Sequence, residues 1–221
     1  VPLGANNKVL DSSRIEAAKP TIMKVLNDGG SCILMSHLGR PKKRERGLSL
    51  KQIVPEIEKT LSLKVKFMEE AIGEKTKEAA KALVPGEVLL LENLRFYPEE
   101  AKGDKEFAKK LASYADCYIN DAFGTAHRAH ASTTTIAGFF KKKKFSGLLL
   151  YNEIKAIRKV LQKGKKPVLA IIGGAKVSSK IAIIENIIEK VDEIIIGGGM
   201  AFTFVKALGG SIGDSIVEGD K

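Results

Sequence analysis

Val88-Leu89-Leu90-Leu91-Glu92-Asn93-Leu94-Arg95-Phe96 is the stretch on which the fold turns. Four consecutive apolar residues leave no polar face, so the run reads as a strand buried on both sides. Ahead of it the spacing predicts a helix from about Glu74 to Ala82. Behind it Asp104 caps another that reaches about Tyr114. Cys32-Ile33-Leu34-Met35 and Cys117-Tyr118-Ile119 read as further buried strands, and Lys64-Val65-Lys66-Phe67 as a short alternating strand near an edge. Earlier in the chain, Asp11-Ser12-Ser13 opens a helix carrying Ile15, Ala18, Ile22, Val25 and Leu26, which Asn27-Asp28-Gly29-Gly30 stops. A helix from about Leu50 to Leu61 follows the basic loop Arg40 to Gly47. Continuous apolar strands alternating with helices predict an α/β domain built on a doubly wound parallel sheet.

Such a sheet presents the carboxyl ends of its strands to one crevice, where ligands bind. The arginines follow that geometry. Only seven occur against thirty lysines, and Arg40, Arg95 and Arg128 each come just after an apolar strand run, while Arg14 opens the first helix. His37 and His127 stand near Arg40 and beside Arg128. A guanidinium matches carboxylate and phosphate oxygens two at a time. The expected ligand is therefore small and multiply anionic. Asp121, next in sequence to this cluster, is expected to orient His127 and Arg128 rather than to act as a base.

Composition sets the outer limits. A hydrophobic share of 44% over 221 residues is that of a folded chain. The formal charge of +11 favours polyanions in general, although lysines spread over helix faces are commonly a solvated surface. Aromatic residues make up 6% with no Trp, which argues against a stacking platform for single-stranded nucleic acid. Cys32 and Cys117 read as small buried hydrophobes in a reducing compartment. No Cys or His spacing has the form of a metal site, and His127-x-x-His130 lacks a third ligand. No apolar run reaches the roughly 18 residues of a membrane helix, and no signal peptide is evident.

The texture changes at Lys141-Lys142-Lys143-Lys144, read as a solvated loop. Beyond it, Tyr151 to about Gln162 forms a long helix suited to connect two domains. A second α/β pattern starts at Pro167. Val168 to Ile172 is a strand, and Gly173-Gly174-Ala175-Lys176 turns into a helix reaching about Lys190. Ile194-Ile195-Ile196 is the next strand, and Gly197-Gly198-Gly199 leads into a helix through Ala207. In the first of these units Lys176 and Lys180, four apart, would share one side of the opening helical turns beside free backbone N–H groups. Phosphate binding and a plain strand ending with solvated lysines are both open there. The glycines at 197–199 admit a ligand's close approach or tight strand–helix packing equally well. Two strands do not close an α/β core, so the chain reads as a segment: residues 1–147 one nearly whole domain, 148–166 a connecting helix and linker, 167–221 the start of a second domain.

Ser36-His37-Leu38-Gly39-Arg40-Pro41, Leu91 through Phe96, Asn120 through His130, Gly173-Gly174-Ala175-Lys176 and Ile195 through Phe204 together resemble the phosphoglycerate kinase family, in order and in spacing, across essentially the whole chain. The resemblance implies two Rossmann-like domains that close on each other to transfer a phosphoryl group between 1,3-bisphosphoglycerate with ADP and 3-phosphoglycerate with ATP, the nucleotide carrying Mg2+. It implies that Arg14, His37, Leu38, Gly39, Arg40, Arg95 and Arg128 hold the phosphoglycerate, and that Arg14 and Lys176 stabilise the group in flight. Lys180, Gly174, Gly197 and Gly198 are implied to contact the nucleotide. It further implies a cytoplasmic, monomeric glycolytic enzyme with no membrane or specific nucleic-acid partner. The family's Arg-Val-Asp-Phe-Asn strand is expected just before Val1, and its metal-holding acid beyond Lys221, so the isolated segment is expected not to turn over. The competing reading is a basic module that binds nucleic acid through the lysine run and the Arg40 to Arg46 loop; a third is a domain that folds and binds nothing selectively.

Overall fold

A computed structural model describes residues 1–4 and 8–220, with the backbone alone at 163. Lys221, the last residue of the third expected segment, lies outside the described residues. The chain divides into two compact units, Val1–Glu153 and Ile154–Lys221.

In the first unit the wholly apolar strand β3 (Val88–Leu91) lies between β1 (Cys32–Leu34) and β2 (Val65–Met68) in the order β1-β3-β2, all parallel. The register pairs Cys32 with Val88 on one edge and Val65 with Val88 on the other. Successive side chains of a strand point to opposite faces, and the two faces of β3 enter two different cores. Leu89 and Leu91 pack with Phe107, Ala108, Leu111, Tyr118 and Ile136. Val88 and Leu90 pack with Ile15, Ile22, Leu50, Ile57 and Leu61. All four strand residues are at most 1% exposed. Burying a side chain of this size stabilises by about 1.5–3 kcal/mol, so this strand anchors both layers.

The layers are helices whose apolar stripes the sequence predicts. The helix α1 (Ser13–Asn27) and α2 (Val54–Leu61) lie over one face, and α3 (Glu74–Lys81) and α5 (Lys105–Ala112) over the other. Asp104 caps α5 by accepting the Phe107 N–H at 2.8 Å. Between them stands α4 (Pro98–Lys102), a short helix the sequence reading does not include. Pro98 supplies its fixed φ at the start and Gly103, at φ +68, its end.

Two expectations are corrected here. The lysine run is not wholly loop: Lys144–Ser146 is a strand, β5, pairing in parallel with β4 (Tyr118–Asn120). All three of its residues are exposed, so no apolar pattern marks it. Cys117 is exposed and Cys32 half-buried, both free thiols; Cys117 precedes β4 rather than lying within it. The long helix α6 (Leu148–Lys163) begins three residues before Tyr151, and the division between units falls inside it.

The second unit holds β6 (Leu169–Gly173) and β7 (Glu193–Gly197), parallel, with α7 (Ile181–Ile187) and α8 (Met200–Ala207). No helix among the described residues is long and apolar enough to cross a membrane.

Candidate anion crevice and strand-end glycine loops

Because β1 and β3 are parallel neighbours, their carboxyl ends open on one edge. The chain leaving β1 carries His37 through Arg40, and the turn leaving β3 carries Arg95. Arg14 comes from the first turn of α1. These residues line one cavity of about 280 Å3, with Val1, Leu38 and Gly39 completing its wall.

A buried polar scaffold sets the two loops against each other. Asn93 is fully buried. Its Oδ1 accepts the N–H groups of Leu38 at 3.2 Å and Arg95 at 3.0 Å. Its Nδ2 donates to the carbonyls of Leu38 and Leu48, both at 2.8 Å. Glu92, 3% exposed, accepts from Ser49 Oγ at 2.6 Å and from the N–H groups of Leu50 at 2.8 Å and Asn93 at 2.7 Å. Arg95 Nη1 then donates to the Gly39 carbonyl at 2.6 Å. Gly39 has φ +64, and a Cβ there would stand 2.7 Å from Leu48 Cδ2, so the loop accepts no larger residue without moving. Glu92 and Asn93 are the positioning residues that sequence reasoning passes over. The one signal was two polar residues directly following a wholly apolar strand, and their partners lie up to 55 positions away.

The crevice is cationic and short of counter-charge. The His37 imidazole is held down at about 4, first by burial and then by the positive charges of Arg95, His130 and Arg128. Burial lowers the Arg95 pKa too, with Arg128 and Arg40 adding to the shift and Glu100 opposing it. Arg128 does not line the 280 Å3 cavity, yet its charge acts on both His37 and Arg95. Its Nε is buried without a hydrogen-bond partner among the described residues. A buried guanidinium N–H left unpaired is costly unless an anion meets it. The histidine that joins the cluster is His130, not His127, which is exposed. The segment between them is a turn and not a helix. No group of three or more His, Cys, Asp or Glu that could hold a metal occurs among the described residues.

Asp121 behaves otherwise than expected. Its Oδ1 accepts the Leu150 N–H at 3.0 Å, and Gly147 packs so closely on its carboxyl that a Cβ would overlap it. It therefore satisfies a free N–H in the first turn of α6 instead of orienting Arg128. The carbonyl of Arg128 is held by Thr133 Oγ1 at 2.7 Å and Thr134 Oγ1 at 3.2 Å.

In the second unit Gly173 and Gly197 pair at the ends of β6 and β7, so Gly174 and Gly198 lead the two exits. Gly198 has φ +70, and a Cβ there would lie 2.9 Å from the Gly174 carbonyl oxygen. Met200 N donates to that same oxygen at 2.9 Å. Lys180 passes close by: its Cε is 3.8 Å from where a Gly174 Cβ would be. Gly174, Gly197, Gly198 and Lys180 thus share one end of the strand pair. Lys176 does not share a helical face with Lys180, because α7 begins only at Ile181 and a turn runs over 178–180. Serine hydroxyls compete for the backbone there. Ser179 Oγ donates to the Lys176 carbonyl at 2.9 Å, and Ser178 donates from N at 2.9 Å and from Oγ at 2.6 Å to the carboxylate of Glu218. The Ser178 N–H is thus taken up by Glu218, which lies forty residues downstream.

Fold and crevice define an α/β protein that gathers cationic side chains at its strand ends. The family model described as phosphoglycerate kinase matches residues 1–221. The chain is 50% identical over 245 aligned residues to a phosphoglycerate kinase of Porphyromonas gingivalis, covering all of this chain and 59% of that protein. It is 53% identical to one of Moorella thermoacetica, covering 100% and 56%. Among solved structures, the phosphoglycerate kinase of Coxiella burnetii superposes with a TM-score of 0.81 at 39% identity, over 100% of this chain and 55% of that one. That of Pyrococcus horikoshii gives 0.82 at 30% identity, over 96% and 54%. The chain belongs to the phosphoglycerate kinase family. It spans between half and three-fifths of the length of the curated relatives it matches here. The alternative reading as a nucleic-acid module finds no support among these relatives.

Proposed function

We propose that this chain is the acceptor-binding part and the first nucleotide-binding part of an enzyme that moves a phosphoryl group between 1,3-bisphosphoglycerate with ADP and 3-phosphoglycerate with ATP. The observation that carries the reading is the convergence of Arg14, His37, Arg40 and Arg95 on one small cavity. In this reading Arg40, Arg95 and Arg128 grip the phosphate and carboxylate of the three-carbon acid, and a neutral His37 supplies a directional hydrogen bond. The roles of Leu38 and Gly39 are to present main-chain groups to the ligand. Phosphoryl transfer asks for positioning and for cations where charge gathers on the equatorial oxygens, with little covalent work by the protein. Arg14 and Lys176 are assigned that second task. Gly174, Gly197 and Gly198 offer a flat backbone approach to a nucleotide and Lys180 an ammonium to its phosphates.

Mg2+ enters as part of the nucleotide substrate; the described residues hold no group of three or more His, Cys, Asp or Glu that could ligate it. We assign residues 1–147 to the acceptor domain, 148–166 to the connection and 167–221 to the nucleotide domain, in a monomeric cytoplasmic enzyme of glycolysis.

Calorimetric titration of the chain with 3-phosphoglycerate, beside 2-phosphoglycerate and sulfate at fixed salt, tests the acceptor assignment. Selective saturable binding that R95A abolishes and R158A leaves intact is expected. Equal affinity for all three anions, or equal losses in the two variants, would remove it.

A further inference from the structure

The two lysines of the second unit assigned to phosphate stand on a turn rather than a helix. Lys176 and Lys180 flank Ser178, and α7 starts only after them, at Ile181. Within the turn the N–H groups of Lys180 and Ile181 donate to the Val177 carbonyl at 2.7 and 3.0 Å, and Ser179 Oγ donates to the Lys176 carbonyl at 2.9 Å. From outside it a distant carboxylate is attached. Ser178 N donates to Glu218 Oε2 and Ser178 Oγ to Glu218 Oε1, so one residue engages both oxygens of Glu218. Glu218 is in turn tied to α8: its N–H donates at 3.2 Å to Oγ1 of Thr203, which is 8% exposed. The helix α8 is fixed at its own start to the first glycine loop, because the N–H of the fully buried Met200 donates to the Gly174 carbonyl. The bonds close a circuit from Gly174 through Met200, Thr203 and Glu218 to Ser178, and the chain itself completes it. Lys180 returns to the same place, with its Cε 3.8 Å from where a Gly174 Cβ would be.

We propose that Glu218 is a positioning residue: by clamping Ser178 to α8 it fixes the turn that presents Lys176 and Lys180, and so sets how well the glycine loops hold a polyphosphate. The inference rests on the reading that these loops bind the phosphates of a nucleotide. Ordering a short surface turn at the moment of binding costs conformational freedom. A turn already held by both oxygens of a carboxylate has lost that freedom before the ligand arrives. The opposite role is physically just as definite. A carboxylate that merely occupied the place of a phosphate oxygen on the Ser178 N–H would compete with the ligand, and its removal would raise affinity. Two observations favour the clamp. Glu218 engages the serine hydroxyl as well as the N–H, and its own main chain is anchored on the buried Thr203.

The test is Glu218→Ala in the 221-residue chain, with Glu218→Gln as the conservative variant and Asp192→Ala as the control. The amide of E218Q still accepts the Ser178 N–H and donates to the Ser178 hydroxyl oxygen, so the clamp is kept and only the charge is lost. Asp192 makes a comparable set of bonds at the other end of β6, where it accepts Val168 N and Lys166 Nζ, both at 2.7 Å. Pyrophosphate and ADP are titrated at one pH and ionic strength without divalent metal, and amide hydrogen exchange is followed at Lys180 and Ile181. E218A is expected to bind both ligands about 3- to 10-fold more weakly, the worth of one or two hydrogen bonds, and to exchange the two amides faster. E218Q should match the parent in both respects, and D192A should bind like the parent whatever its melting temperature. Parental affinity in E218A overturns the proposal. Tighter binding overturns it as well and makes Glu218 a competitor of the phosphate. A loss in E218Q as large as that in E218A also overturns it, because the bonds are kept there. So does an equal loss in D192A, which would make the effect one of stability alone. If E218A does not fold, S178A serves instead, since it keeps the N–H bond and removes the hydroxyl one. Pyrophosphate binding about 2-fold weaker is then expected, and parental affinity overturns the proposal. A parent chain that binds neither ligand removes the phosphate reading of the loops and this inference with it. That result is distinct from one in which the parent and E218A bind alike.

Discussion

The strands Val88–Leu91 and Leu169–Gly173 are written in the same apolar language and end in different surroundings. In the first, no residue is more than 1% exposed; in the second, Ile171 is 73% exposed and Leu169 46%. The strand β3 has a parallel neighbour on each edge and helices over each face, whereas β6 is paired in the described chain with β7 alone. An apolar run states what a strand can bury, and the surrounding layers decide what it does bury. The sites differ in the same way. The crevice loops of the first unit are set by side chains that are themselves buried, Asn93 and Glu92. The glycine loops of the second are set by backbone contact between Gly198 and Gly174, and by the exposed pair of Ser178 and Glu218.

The comparison is open to direct attack, and the core offers the largest effect. L90A should cost about 2–5 kcal/mol, the range for a Leu truncated in a packed interior, while I171A should cost under about 0.5 kcal/mol as a surface change. Equilibrium urea unfolding, with hydrogen exchange to assign the transitions, measures both; similar losses would erase the distinction between the units. Next comes the scaffold. N93A strips partners from the Leu38 and Arg95 N–H groups and from the Leu38 and Leu48 carbonyls. A destabilisation of about 2–4 kcal/mol is expected, from buried groups left unpaired, together with lost selectivity for 3-phosphoglycerate over sulfate. S178A, which removes an exposed hydroxyl, should leave the unfolding transition where it was.

The pH dependence sharpens the contrast further. His37 titrates at about 4 in the fold against an ordinary 6.5. The unfolded chain therefore takes up the proton first. Stability of the first unit is undiminished above about pH 6.5 and falls as pH drops toward 4, where the folded imidazole protonates as well. All three histidines lie in the first unit, so protection factors in the second, corrected for the intrinsic pH dependence of exchange, should be insensitive between about pH 6.5 and 5, above the carboxylate range. H37Q should flatten the slope of the first unit in that window; an unchanged slope would assign it to other groups. Replacement of Asp121 by Ala should cost about 1 kcal/mol, as the loss of a helix-start acceptor does. A larger loss, or a loss of phosphoglycerate affinity without one of stability, would return Asp121 to the site.

How far the site was legible follows from how far each partner lies along the chain. Arg14, Arg40 and Arg95 were visible because each is next to the element that delivers it, and a parallel sheet sends strand ends to one edge. The turn after Gly174 was misread as a helix because the competing acceptor, Glu218, is forty residues away. The exchange of His127 for His130 has a similar cause. Nothing local tells which imidazole turns inward, and the buried Glu100, 30 positions earlier, is what His130 approaches. The strand Lys144–Ser146 escaped because it is held by main-chain pairing to Tyr118–Asn120, which side-chain pattern does not report.

The alternation of the longer strands and helices, the two-faced burial of Val88–Leu91 and the gathering of Arg14, Arg40 and Arg95 in one crevice were determined by the sequence alone. They rest on periodicity and on chain direction, which are local properties. Tertiary structure alone decided which polar residues became scaffold and which histidine joined the arginines. Those outcomes depend on desolvation and on hydrogen bonds between residues tens of positions apart, and neither exists until the chain has folded.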